Sequence, residues 1–135
     1  ELPELGLTAY GTSTTEAFDR LNQSKYVIDW WFSGCLPCIE HHATMLEQSI
    51  YDQFLAQGYE FVGISVGFSS QAWYEYMDAK ELPWPNYRLS NDYDHDNDPL
   101  SSVFMGALPT YFIVENGTMV HATNDLEELV RYITE

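Results

Sequence analysis

Between Tyr26 and Val66 the chain reads strand, helix, strand, and this order constrains the fold more than any other feature. Tyr26 to Phe32 is short and almost continuously apolar, the pattern of a strand covered on both faces. From about Cys35 a helical stripe follows, made of Ile39, Ala43, Leu46, Ile50 and Phe54, and Gly58 ends it. The segment EFVGISV, residues 60–66, is a second buried strand. Two strands joined through a helix form a βαβ unit, so they are expected to lie parallel with a right-handed crossover.

The flanking segments extend this unit. Ser13 and Glu16 form a capping box for a short helix carrying Ala17, Phe18 and Leu21. Ser69 or Ser70 caps a later helix whose apolar face is Ala72, Trp73, Tyr76 and Met77. LPWPNY, residues 82–87, has prolines two apart and cannot be helical. Asp98-Pro99 is a cap and first-turn pair for a helix reaching Phe104. TYFIVE and TMVHAT, separated by Asn116-Gly117, spell a hairpin. A last helix begins at Asn124 with Leu126, Leu129, Val130 and Ile133 inward. With no internal repeat and no linker, residues 1–135 are expected to form one α/β domain, a mixed sheet with helices on both faces.

Composition narrows the partners. At 45% hydrophobic and 16% aromatic residues the chain is neither disordered nor fibrous. Its 21 acidic against 5 basic residues give a net charge of −16, which repels nucleic acid and anionic membrane. No apolar run approaches a membrane span, so no membrane insertion is expected. The start at Glu1, without a methionine, suits a processed or trimmed product. DYDHDND, residues 92–98, alternates aspartates like a calcium loop but lacks the turn glycine and the closing glutamate. It is read as a solvated acidic loop.

Two features of VIDWWFSGCLPCIEHH, residues 27–42, carry chemistry. The only cysteines, Cys35 and Cys38, stand where the first strand hands over to its helix. Helix N-termini present unpaired N–H groups and partial positive charge, which stabilise a thiolate. Cys35 gains most, and Pro37 is tolerated in the first turn. The pattern produces a nucleophile followed one turn later by a resolving thiol. Haem attachment would need histidine after Cys38, where Ile39 stands. A copper or other metal chaperone using Cys35, Cys38 and His41 or His42 is the alternative, although metal sites of this kind usually recruit a second segment. The second feature is Asp29, a carboxylate inside an apolar strand. An ionised group there is costly, so it is expected to exchange protons near neutral pH.

VIDWWFSGCLPC, followed downstream by LPWPNY and GALPTYFIVENGTMV, resembles the thioredoxin superfamily, and within it the TlpA/ResA-like thiol–disulfide oxidoreductases of bacterial envelopes. The resemblance spans roughly residues 16–134 and implies a thioredoxin fold, a three-layer α/β/α arrangement around a mixed central sheet. It implies that Cys35 attacks, that Cys38 resolves, and that Pro109 is a cis-proline facing the pair. Leu108 would then pair with an extended substrate segment. A substrate groove of Leu108, Trp31, Leu36 and Pro37 follows from it, as does a proton-accepting role for Asp29 beneath Cys38. Protein thiols and disulfides are the implied partners, with an electron-transfer protein to recycle the pair. No cofactor is called for, a monomer is expected, and the periplasm or cell envelope is the implied compartment. Three positions depart from the pattern: Gly34 replaces a tryptophan and should open the rim, Ala43 replaces a kinking proline, and His41 replaces an active-site glutamate. A protonated His41 is expected to tune the thiol pKa.

Overall fold

A computed structural model describes residues 6–9, 15–17, 25–66, 70–89 and 108–135. In chain order these form β1 (Gly6–Ala9), β2 (Thr15–Ala17), β3 (Lys25–Trp31), α1 (Leu36–Glu47), α2 (Ile50–Ala56) and β4 (Glu60–Ser65). Then come α3 (Ser70–Lys80), β5 (Asn86–Leu89), β6 (Thr110–Glu115), β7 (Thr118–Thr123) and α4 (Leu126–Thr134). The seven strands make one mixed sheet in the order β2-β1-β5-β4-β3-β6-β7. β3 pairs parallel with β4, as a βαβ unit requires, and antiparallel with β6 on its other side.

Strand alternation divides the core. Val27, Phe61, Tyr111 and Ile113 turn to the side where Met45 of α1, Ile50 and Phe54 of α2, and Leu126, Leu129 and Ile133 of α4 pack. Trp31 on that same side meets Trp73 and Met77 of α3. Tyr26, Ile28, Trp30, Val62, Ile64, Phe112 and Val114 form the opposite core. Among the described residues all four helices lie on the first side. The helix expected from Asp98-Pro99 to Phe104 lies outside the described residues, as does the acidic loop at 92–98.

Two elements differ from the sequence reading. Glu16 and Ala17 belong to a strand, not to a helix: Leu7 pairs with Glu16 and Gly6 with Ala17. Pairing with β1 overrides a local capping signal, the usual limit of propensity. Ser13, Phe18 and Leu21 of that expected helix lie outside the described residues. The long helix after Cys35 is two helices, because Ser49 adopts a left-handed φ of 54°. The buried positions of α1 are Cys38, His42 and Met45 rather than Ile39, Ala43 and Leu46, and the break shifts the phase so that Ile50 and Phe54 of α2 are buried as well. The side-chain amide of Gln53 donates to the carbonyl oxygen of Gln48 at 3.1 Å, satisfying a group that the break frees.

Local signals hold elsewhere. Asn116 and Gly117 both have positive φ, 51° and 81°, as a two-residue hairpin between β6 and β7 demands. Asp125, one residue later than expected, caps α4 by accepting from the N–H groups of Glu127 and Glu128. Residues 82–85 are irregular, and β5 begins at Asn86.

Candidate active site

β3 delivers the chain to the site. After Trp31 a tight turn, closed by the Cys35 N–H donating to the Phe32 carbonyl at 3.1 Å, sets Cys35 as the N-cap of α1. The Cys38 N–H donates to Cys35 Sγ at 3.2 Å, so the sulfur takes one of the orphan donors of the helix start. Leu36 and Pro37 fill the first turn, where a missing N–H costs no helical bond. The two cysteines form a disulfide with their Cα atoms 5.2 Å apart. Cys35 keeps 6% exposure and Cys38 none, so an incoming sulfur meets Cys35 first.

Leu108 approaches from the loop before β6. Its carbonyl oxygen lies 3.5 Å from Cys35 Sγ, and the Leu108–Pro109 peptide bond is cis. Leu36 stands 65% exposed beside the sulfur, and Pro37 is also exposed. Gly34 does not leave an empty rim, because the Phe32 ring lies over it: a Cβ on Gly34 would sit 3.0 Å from Phe32 Cε2. Trp31, expected in the groove, is fully buried instead. It shares the inward parity of β3 with Asp29, so its indole packs beneath the site against His42 and Tyr76 at 4.9 and 5.0 Å between centroids.

Asp29 sits at the middle of the sheet with no exposure, flanked in register by Gly63 of β4 and Tyr111 of β6. It is not a lone carboxylate. His42 Nε2 lies 2.7 Å from Asp29 Oδ2, and His42 Nδ1 lies 2.8 Å from the Tyr76 hydroxyl. Asp29 Oδ1 is buried and has no hydrogen-bond partner among the described residues. The sequence puts Tyr76 on an apolar face and offers His42 as a metal-ligand candidate, without joining either to Asp29. The available signal was spacing: His42 is one turn past Cys38 and shares its face. Burial, with the nearby Asp29 charge second, pushes the Tyr76 hydroxyl up to about 12, so it stays protonated.

His41, the residue expected to carry a tuning charge, is half-buried and stacks on Tyr111, with Nδ1 2.8 Å from the Tyr111 hydroxyl. Burial lowers its pKa from 6.5, with the Asp29 charge next and pulling the other way, which confines a charged ring to acid pH. Burial likewise raises Tyr111 well above the usual phenol range. Both ring nitrogens of His42 are engaged in the buried network, and among the described residues no three His, Cys, Asp or Glu side chains converge as metal ligands. The donor set does not favour a metal-carrying role.

No family model matches the chain, and no curated protein matches it in sequence. Solved structures do. The thioredoxin domain of a thiol-disulfide oxidoreductase from Bacteroides vulgatus superposes with a TM-score of 0.74 at 18% identity, over 97% of this chain and 94% of that one. A thiol:disulfide interchange protein from Bacteroides sp. gives 0.76 at 19% identity, over 97% and 84%. StoA from Bacillus subtilis gives 0.67 at 17% identity, over 96% of both chains. Together with the βαβ unit, the cysteine pair at its helix start and the strand entered through Pro109, these likenesses establish that the chain has the thioredoxin fold.

Proposed function

We propose that the chain is a single-domain thiol–disulfide oxidoreductase that exchanges disulfides with protein substrates. The observation that carries this reading is the asymmetry of the pair: Cys35 caps the helix and reaches the surface, while Cys38 is buried behind it. Cys35 attacks a substrate disulfide, and a mixed disulfide forms. Cys38 then attacks Cys35 Sγ, the bond to the substrate breaks, and the second substrate sulfur leaves as a thiolate. Two electrons pass from the dithiol to the substrate disulfide, and the reverse direction uses the same parts. Asp29 accepts the proton of Cys38, while Leu36, Pro37 and the backbone of Leu108 before Pro109 form the rim that receives an extended substrate. The neighbours in structure that are thiol-disulfide oxidoreductases support the reaction class.

The same reading places the chain, as a monomer recycled by an electron-transfer protein and contributing to redox homeostasis, in the bacterial periplasm or cell envelope, the compartment that the resemblance to TlpA/ResA-like proteins implies. No described helix is long and apolar enough to cross a membrane. The decisive test is trapping. Cys38→Ala should accumulate a mixed disulfide through Cys35, visible by mass, and Cys35→Ala should abolish exchange. If iodoacetamide labels Cys38 of the reduced protein faster than Cys35, the roles are misassigned.

A further inference from the structure

The carboxylate of Asp29 is divided between two tasks. Oδ2 is bonded to His42 at 2.7 Å, whereas Oδ1 is buried and unpartnered among the described residues. A buried acceptor without a donor is costly to keep. A catalytic role is one of the reasons for which a native structure retains such an atom. His42 rides on α1 one turn beyond Cys38, so it moves with the helix that carries the resolving thiol. The second ring nitrogen meets Tyr76, which comes from α3.

We propose that His42 is a positioning residue for the resolving step: it pins Asp29 Oδ2 and leaves Oδ1 as the atom that receives the proton of Cys38. Asp29 and Tyr76 together set the tautomer. A carboxylate oxygen only accepts, so the ring carries its proton on Nε2 and donates to Oδ2, which leaves the Nδ1 lone pair to accept from the Tyr76 hydroxyl. Pinned in this way, the carboxylate offers one free oxygen in a fixed orientation. As Cys38 attacks Cys35 Sγ, its S–H proton passes to Oδ1 and the Cys35–substrate bond breaks. The bonding pair leaves with the substrate sulfur, which takes a proton from solvent. His42 neither gains nor loses a proton in this step. Other titratable groups around the pair are His41 on the same helix and Tyr111 on β6, the latter bonded to His41 rather than to His42. The inference rests on the disulfide-exchange reading.

The reduced protein, desalted and mixed with dipyridyl disulfide, releases one pyridyl thione when Cys35 attacks and a second when Cys38 resolves. His42→Phe should slow the second release by about tenfold at neutral pH and move its rise to higher pH, because the ionised carboxylate loses its donor. His42→Gln, which restores an N–H donor, should recover most of the rate. Asp29→Asn combined with His42→Phe should be no slower than Asp29→Asn alone, since both act on one device. Tyr76→Phe should slow the second release by about threefold. It serves as the deciding variant if His42→Phe does not fold. An unchanged second release and pH profile in the folded variant overturns the role of His42, as do losses that multiply in the double variant. A wild type that releases no second thione overturns the exchange reading itself.

Discussion

Two adjacent histidines show how surroundings, rather than residue type, fix chemistry. His42 is enclosed between Asp29 and Tyr76, and its ring is committed at both nitrogens. His41, one step around the helix, is half-buried and has its pKa lowered from 6.5 by burial. The folded protein therefore binds that proton less readily than the unfolded chain does. The stability from neutral His41 is complete above pH 6.5 and is lost as pH falls through the lower, folded value. His41→Gln, which does not titrate, should lose less of its melting temperature than wild type between about pH 7.5 and about pH 5. Parallel melting curves across that range would refute the assignment. At this scale the sequence could flag Asp29, because a carboxylate in an apolar run is anomalous on its face. It could not show the Asp29–His42–Tyr76 chain. That depends on three elements meeting, and a histidine on an inward helical face looks the same with or without a partner.

Local signals and non-local ones separate cleanly among the elements. The β6–β7 hairpin was readable because Asn116-Gly117 prefers positive φ by itself. β2 was misread because its reason for being a strand is the pairing with β1, which no local pattern contains. The break between α1 and α2 was also hidden, since Gln48 and Ser49 include neither glycine nor proline. Ser49 holds φ at 54° without a side-chain hydrogen bond to its helix. For a residue with a Cβ this conformation costs roughly 1–2 kcal/mol, less for asparagine. Ser49→Asn should therefore raise stability by about 0.5–1 kcal/mol, and Ser49→Val should lower it by at least as much. Urea midpoints at constant slope measure both. A destabilised Ser49→Asn would mean that the break is held for a reason other than local conformation. The break lets Ile50 and Phe54 of α2 turn inward as well, although they are out of phase with the buried stripe of Cys38, His42 and Met45 on α1.

For the whole molecule, topology and charge bear on different steps of the proposed disulfide exchange. The mixed sheet places the helix carrying Cys35 beside the strand entered at Leu108, two segments 73 residues apart in the chain. In the proposed reaction this arrangement would act once a substrate has arrived, and arrival would feel the field of a chain with 21 acidic and 5 basic residues. The fold could be read from βαβ order, hairpin and turn residues, yet none of these bears on which substrates approach fastest, whereas net charge makes a testable prediction. A negative field raises the local concentration of a cationic peptide disulfide and lowers that of an anionic one, and salt screens both effects within a Debye length of about 10 Å at 0.1 M. The bimolecular rate of attack by Cys35 on a lysine-flanked peptide disulfide should thus fall by on the order of tenfold from low to high salt. A glutamate-flanked peptide should speed up over the same range, and a neutral one should barely change. The neutral peptide also reports any direct effect of salt on the thiolate, because that effect would appear equally in all three. Stopped-flow rates at several ionic strengths give the three slopes. If the cationic and anionic peptides respond alike, the acidity is a solvated surface with no part in selecting substrates. Opposite slopes would make basic segments of unfolded or extended proteins the preferred targets of this pair of cysteines.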